Sequence, residues 1–161
     1  MNIRTLAVNG VLAALYIAVT MIVQPIAFSN IQFRVPEMFN HLIVFNKKYF
    51  FGIVIGVFLS NLFFSQLLAY DLVFGVGHSI LSLTITILIC RFIHNIWARM
   101  IINTLVFSIM MFIIAIELNL AFGFPFLITW ATTAVGELVV MAIGAPIIYA
   151  LNKRINFSKL I

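Results

Sequence analysis

Residues 5–24 read TLAVNGVLAALYIAVTMIVQ, an apolar run without a single charged side chain. A transmembrane helix needs about 20 mainly apolar residues, because it must cross roughly 30 Å of hydrocarbon. A secretory signal begins in a similar way, with a basic residue such as Arg4 before an apolar core, but its core is shorter. Further apolar runs follow along the chain. The stretch therefore indicates a retained membrane-spanning helix, the first of several.

The composition places the whole chain in a bilayer. Of its 161 residues, 65% are hydrophobic and 8% are charged, whereas a soluble domain is nearer half apolar and about a quarter charged. The net charge of +5 would suggest a nucleic-acid partner in a soluble protein. Here the basic residues stand at the ends of apolar runs, where they orient helices, so we expect no nucleic-acid partner. The lone Cys90 has no cysteine with which to form an internal disulfide.

Hydropathy predicts a single domain, 1–161, that is an all-α integral membrane protein built as a six-transmembrane-helix bundle. The six predicted spans cover about 5–24, 36–46, 49–67, 71–92, 98–117 and 127–151. The first is expected to end before Pro25. The second is short and begins at Pro36, which suits the first turn of a helix. The connections are short and leave no room for a soluble domain.

The basic residues predict the orientation. With six spans and the N-terminus inside, eight of the nine Lys and Arg residues fall on the cytoplasmic side: Arg4, Lys47, Lys48, Arg91, Arg99, Lys153, Arg154 and Lys159. This positive-inside pattern supports an even number of spans and predicts a multi-pass membrane protein with cytoplasmic termini. Arg34 alone falls on the outer side, and we expect it to have a fixed partner there.

Small residues recur at a spacing of four in two spans: Gly10, Ala14 and Ala18 in the first, and Gly52, Gly56 and Ser60 in the third. Such spacing lets two helix backbones approach closely in lipid. One interpretation is packing within the bundle. The other makes one stripe a docking face for another protein, and the first stripe begins near the cytoplasmic end.

All four acidic residues fall in the outer half of the bundle or near its midplane: Glu37, Asp71, Glu117 and Glu137. A charge at a helix centre costs about 3 kcal/mol on insertion scales, so such residues usually serve a site or a pair. Glu37 could pair with Arg34, Asp71 could cap a helix, and Glu117 could be an interfacial residue at a helix end. Glu137 lies deepest and has no obvious local partner, which favours a ligand role.

Other positions share helical faces with these acids. Trp130 and Thr133 lie on the face of Glu137, and Gly75, His78 and Ser82 lie on the face of Asp71. The neighbouring spans add Asn40, His41 and Asn61. If these faces point inward, they enclose a polar pocket that opens outward. Carboxylates suit a ligand with N–H donors or an amine, and aromatic walls suit a flat ring. His78 could instead be a packed histidine, and Trp130 could belong to an interfacial aromatic belt.

Catalytic and nucleotide-binding motifs are absent from the sequence. It contains no GxxxxGK[ST], no HExxH and no GxSxG. We therefore predict a binding protein that is not an enzyme and uses no cofactor and no metal. If it moves a ligand uphill, the energy must come from other subunits or from an ion.

Four segments carry a resemblance to a known family: IQFRVPE at 31–37, GIVIGVFLSNL at 52–62, DLVFGVGHSIL at 71–81 and GELVVMAIGAPI at 136–147. Together they resemble the QueT family, the queuosine-precursor-specific S-components (substrate-binding subunits) of energy-coupling factor (ECF) transporters. The resemblance spans nearly the whole chain. It implies a six-helix bundle in the bacterial cytoplasmic membrane that works with one transmembrane coupling subunit and two ATPase subunits.

The resemblance also implies a substrate and a set of roles. The substrate would be a 7-deazaguanine, either 7-aminomethyl-7-deazaguanine or queuine. The implied docking face is Gly10, Ala14 and Ala18, and the loop 25–36 would gate the site. The predicted substrate-binding residues are Glu37 and Glu137 as acceptors of ring N–H groups, Trp130 as a stacking surface, Asn61 to orient the ring, Asp71 for an aminomethyl group, and Arg34 and His78 beside them.

Two other functions stay open on the sequence alone. The chain could be an S-component for another flat vitamin or nucleobase. It could also be a solitary proton-coupled carrier, in which burial raises the pKa of Glu137 into a useful range.

Overall fold

The computed structural model describes residues 2–27 and 33–161, and these residues form helices joined by short connections. The long helices are α1 (Ile3–Ala27), α2 (Phe50–Phe64), α3 (Leu68–Cys90), α4 (Ile96–Phe122) and α5 (Phe126–Ile155). A 3₁₀ helix (Val35–Val44) follows α1, a 3₁₀ turn (Lys47–Tyr49) leads into α2, and the short α6 (Phe157–Leu160) ends the chain. In the described ranges, five helices are long and apolar enough to cross a bilayer.

The predicted spans correspond to these elements with shifted ends. α1 extends to Ala27, whereas its apolar stretch that can cross a membrane, Ile3–Gln24, ends before Pro25 as predicted. Residues 28–32 of the predicted gating loop lie outside the described residues. α3 contains a π-helical turn, Asp71–Gly75, between the α-helical pieces Leu68–Tyr70 and Val76–Cys90.

Local sequence explains where the last long helices begin and end. The side chain of Asn95 accepts a hydrogen bond of 3.1 Å from the backbone N–H of Ala98 and so caps the start of α4. Gly123 ends α4 in the left-handed conformation, at a φ of 71°, which costs glycine little. Pro125 then precedes α5, and Asn156 ends it at a φ of 55°.

The second predicted span differs most from expectation, because it is a 3₁₀ helix rather than an α-helix. At about 2.0 Å per residue it covers about 20 Å. It contacts α1, α3, α4 and α5 and is largely buried. A Cβ added to Gly144 on α5 would lie 2.5 Å from the Cβ of Met38. The glycine therefore allows the 3₁₀ helix to sit against α5 in the middle of the bundle.

The third-span stripe packs inside the bundle, against α1. Gly52 N donates a 2.8 Å hydrogen bond to Asn9 Oδ1, and Gly56 packs against the side chain of Tyr16. Thr20 Oγ1 donates a 3.1 Å hydrogen bond to Ser60 Oγ. A Cβ on Gly56 would lie 2.8 Å from that of Tyr16. For this stripe the packing interpretation is correct.

The first-span stripe faces outward. Gly10, Ala14 and Ala18 are all exposed, and a Cβ added to Gly10 would meet no described atom within 4 Å. The faces of α1 divide accordingly: Asn9, Tyr16 and Thr20 pack inward, and the small residues are left uncovered by the described part of the chain.

Side-chain contacts bring both ends of the described chain to one end of the bundle. Arg4 Nη2 donates to the carbonyl of Lys159 over 3.4 Å, and Asn46 Nδ2 donates to that of Ile161 over 3.2 Å. Arg99 Nη1 donates to the carbonyl of Val44, at the end of the 3₁₀ helix, over 3.3 Å. The 3₁₀ helix thus ends at this basic end, whereas its first residues lie among the acidic side chains.

Candidate binding site

A buried ion pair joins the start of the 3₁₀ helix to α3. Arg34 Nη2 lies 2.8 Å from Asp71 Oδ1, and the two side chains are 8% and 6% exposed. Arg34 therefore has the fixed partner that its position on the outer side predicted, but that partner is Asp71. The expectation that Glu37 would form this salt bridge is wrong.

The π turn of α3 holds Asp71 in place. Its second carboxylate oxygen accepts a short hydrogen bond from Ser65, and its backbone carbonyl accepts one of 3.0 Å from Asn61 Nδ2. Gly75 keeps this space open, since a Cβ there would lie 2.7 Å from Asn61 Nδ2. α3 begins at Leu68, so the expectation that Asp71 caps a helix is wrong; its carboxylate forms the ion pair instead.

Glu37 is held by two other donors. Tyr16 Oη donates to its Oε1 over 2.9 Å, and Asn40 Nδ2 forms a short hydrogen bond with its Oε2. Residues three apart line up along a 3₁₀ helix, which explains why Asn40 reaches Glu37. The carboxylate is buried and has a partner on each oxygen, so its position is fixed before any ligand arrives.

Glu137 lies fully buried on α5, with 0% exposure. Among the described residues, neither of its carboxylate oxygens has a hydrogen-bond partner. Its charge lies within electrostatic range of both Glu37 and Arg34, so it belongs to the same cluster. A buried carboxyl with no donor costs several kcal/mol unless something supplies the missing interactions.

Glu117, near the end of α4, joins the cluster and is 1% exposed. Its carboxyl lies close to that of Asp71 and within electrostatic range of Arg34. Its oxygens have no N–H or O–H donor among the described residues, so the two carboxyls face each other and can coexist only with a shared proton or a cation between them. Glu117 is therefore not a water-exposed residue at a helix end. The sequence analysis did not include it among the predicted site residues.

Two predicted site residues lie in other surroundings. The indole N–H of Trp130 donates to the carbonyl of Ile109 over 3.0 Å, and its ring stacks on Phe126 and meets Phe112 edge-on. The His78 Nε2 lies 3.2 Å from the carbonyl of Phe107, and the two rings meet edge to face. A carbonyl accepts only, so this ring nitrogen carries the proton, and His78 packs between α3 and α4.

A chain of hydrogen-bonded polar side chains, separate from the acidic cluster, supports the 3₁₀ helix. His41 Nε2 lies 2.9 Å from the carbonyl of Met141, and its Nδ1 lies 3.3 Å from Asn103 Nδ2. Asn103 Oδ1 in turn accepts 2.9 Å from Thr86 Oγ1. The consistent assignment is a neutral His41 that donates to the carbonyl and accepts from Asn103. The chain ties the 3₁₀ helix to α3, α4 and α5.

The chemistry of the cluster follows from its inventory. Glu37, Asp71, Glu117 and Glu137 face one guanidinium, that of Arg34, and two of the four carboxyls are unpaired in the described part of the chain. Such a site accepts hydrogen bonds and attracts cations. Among the described residues, no group of three or more His, Cys, Asp or Glu side chains is placed to hold a metal ion.

These observations define a class of protein: a small polytopic membrane protein that keeps unpaired carboxyls inside a helical bundle, where such groups usually serve transport. The family model described as QueT transporter matches residues 6–153, and the chain belongs to this transporter family. The resemblance to the QueT family that was drawn from the sequence is confirmed.

A curated relative supports the same assignment. The chain is 37% identical over 159 residues to a protein of Lactococcus lactis subsp. cremoris (strain MG1363) named "Queuosine precursor transporter QueT". The match covers 93% of this chain and 93% of that protein. No solved structure matches the chain.

Proposed function

We propose that this protein is the membrane-embedded substrate-binding subunit, or S-component, of an ECF-type importer for a queuosine precursor. The substrate would be a 7-deazaguanine, either 7-aminomethyl-7-deazaguanine or queuine. ATP hydrolysis would take place in two partner ATPase subunits, coupled through a transmembrane partner. Membership of the QueT transporter family and the name of the Lactococcus relative support the substrate class.

The single observation that carries the site assignment is the state of Glu137. It is fully buried and unpaired within the described structure, and it lies near a carboxylate, Glu37, that is held by Tyr16 and Asn40. A guanine-like ring presents adjacent N–H donors that one carboxylate accepts together. In this proposal Glu137 receives that edge of the ring, and Glu37 lies beside it as a second acceptor.

The proposed topology has six crossings, with both termini in the cytoplasm of a bacterial cell. The 3₁₀ helix supplies the sixth crossing, because it begins among the acids at Arg34 and ends beside Arg99 at the basic end. An even number of crossings agrees with the contact between Arg4 and the carbonyl of Lys159. The basic end would face the cytoplasm, and the acidic cluster would lie towards the outer face.

The proposed docking face for the coupling subunit is Gly10, Ala14 and Ala18. These residues are exposed, whereas the comparable stripe on α2 is covered by α1. A partner helix could approach the α1 backbone closely here, and the stripe begins near the basic end of the bundle.

Ligand binding to the purified protein tests the substrate class. We expect 7-aminomethyl-7-deazaguanine or queuine to raise the thermal unfolding midpoint in a concentration-dependent way, and thiamine, riboflavin and adenine to leave it unchanged. Stabilisation by one of these three, without stabilisation by either 7-deazaguanine, would favour an S-component for a different flat ligand.

Uptake tests the energy source. We expect accumulation of the 7-deazaguanine only in cells that also carry the ATPase and coupling subunits. Accumulation in cells without those subunits, abolished by an uncoupler, would instead favour a solitary proton-coupled carrier.

A further inference from the structure

We propose that Glu117 is a specificity-determining residue of the binding site: its carboxylate receives an ammonium group on the substrate, a role that Asp71 cannot fill. This inference rests on the proposed function and deepens it. It assigns a residue to the substituent that distinguishes one 7-deazaguanine from another.

Asp71 is the obvious candidate for an amine, and the structure commits it elsewhere. Its Oδ1 binds Arg34 at 2.8 Å, its Oδ2 accepts from Ser65, and its backbone carbonyl accepts from Asn61. An ammonium group that bound Asp71 would have to displace or share the guanidinium. Removing one partner from a buried ion pair is strongly unfavourable, so Asp71 serves to position Arg34 and the π turn.

The carboxyl of Glu117, unlike that of Asp71, has no described hydrogen-bond donor. Its side chain is almost completely buried, and neither carboxylate oxygen has a donor in the described part of the chain. It lies close to the carboxyl of Asp71 and within range of the charge on Arg34. The guanidinium is already bound to Asp71, so the Glu117 carboxyl faces another carboxyl and has no described donor of its own.

The charge inventory points to a cationic ligand. The chain has four acidic residues, all in this cluster, and Arg34 is the one basic residue that the structure describes beside them. Four ionised carboxylates beside one guanidinium would be strongly unfavourable in a low-dielectric interior, so bound protons or a cationic ligand must remove the excess negative charge. An ammonium group on the ligand does so directly. Charge-assisted hydrogen bonds to a carboxylate are also about twice as strong as neutral ones.

The two unpaired carboxyls then divide the substrate between them. Glu137, on α5, would accept the N–H edge of the ring, and Glu117, on α4, would accept the amine. A nitrile in place of the aminomethyl group has no donor and presents a lone pair, which a carboxylate repels. The site should therefore reject 7-cyano-7-deazaguanine, although its ring is the same.

The test measures the affinities of 7-aminomethyl-7-deazaguanine and 7-cyano-7-deazaguanine for the purified full-length protein in lipid nanodiscs. We expect the wild type to bind the aminomethyl compound at least about tenfold more tightly. Glu117→Gln should weaken that affinity by about 10- to 100-fold and change the affinity for the cyano compound by less than about threefold. Glu137→Gln, as the matched control, should weaken both compounds.

Three results would overturn the inference: equal loss of both compounds in folded Glu117→Gln, no loss of either, or a wild type that binds the cyano compound as tightly. The last needs no variant, so the inference can still be refuted if Glu117→Gln does not fold. Failure of the proposed function gives a different result, because the wild type would then bind neither compound.

Discussion

Arg34 and Asp71 form a buried ion pair across 37 positions of sequence, with Nη2 and Oδ1 2.8 Å apart. The pair joins the entry of the 3₁₀ helix to the π turn of α3. It fixes one wall of the acidic cluster and leaves Glu117 and Glu137 without a partner among the described residues.

Loss of both members of this pair should destabilise the protein by less than the sum of the two single losses. Asp71→Asn removes the carboxylate that lies 2.8 Å from the buried Arg34 guanidinium, and we expect the free energy of unfolding to fall by about 3–5 kcal/mol. The double variant Arg34→Met, Asp71→Asn should recover about 1–3 kcal/mol relative to the sum of the single effects. Reversible unfolding in detergent measures the three values; strict additivity would show that the pair is not coupled.

The contact between α1 and α2 should be sensitive to one methyl group. In Gly56→Ala the new Cβ would lie 2.8 Å from the Cβ of Tyr16, so we expect a loss of about 1–3 kcal/mol in stability. Gly77→Ala is the matched control, because nothing described lies within 4 Å of a Cβ there. In a helix that change should stabilise by up to about 1 kcal/mol. Equal effects of the two substitutions on the unfolding midpoint would contradict the packing of α1 on α2.

The polar chain formed by His41, Asn103 and Thr86 should also contribute to stability. Asn103→Leu removes the partner of both His41 Nδ1 and Thr86 Oγ1, and unsatisfied buried groups of this kind cost about 1–3 kcal/mol each. Thr84→Val serves as the control, since Thr84 is exposed and bonds only to the carbonyl of Ile80 in its own helix. If both variants unfold at the wild-type temperature, the chain does not hold the 3₁₀ helix in place.

Bulk on the outward stripe of α1 should separate docking from ligand binding. Ala14→Trp places a large side chain on an exposed face, so we expect unchanged affinity for the proposed 7-deazaguanine substrate and loss of co-purification with the proposed coupling subunit. Ala131→Trp, at an exposed position of α5, should retain the complex. Co-purification of Ala14→Trp at the wild-type level would exclude this stripe as the docking face.

The sequence predicted the long helices because hydropathy is local: each apolar run must itself be long enough to cross the membrane. The 3₁₀ form of Val35–Val44 was missed because its geometry depends on contacts with the helices that surround it. Spacing alone could not decide between packing and docking for the stripe that begins at Gly10, since the stripe that begins at Gly52 has the same spacing and faces inward.

The site was predictable in part for a similar reason. Acids in apolar surroundings stand out in composition, so Glu37, Asp71 and Glu137 were all identified. Their partners were not, because the hydrogen bond from Tyr16 to Glu37 and the ion pair of Arg34 join residues 21 and 37 positions apart. Trp130 shares a helical face with Glu137 on α5, yet its indole turns to Ile109 and Phe126.

The most direct test of the central claim is a calorimetric titration of 7-aminomethyl-7-deazaguanine into the wild type, Glu137→Gln and Thr132→Val. Thr132 is exposed on α5 and bonds to its own helix, so its variant should bind like the wild type. We predict saturable binding by the wild type and an affinity lower by about 10- to 100-fold in Glu137→Gln. Wild-type affinity in a folded Glu137→Gln protein would contradict the assignment of Glu137 as the acceptor for the ring.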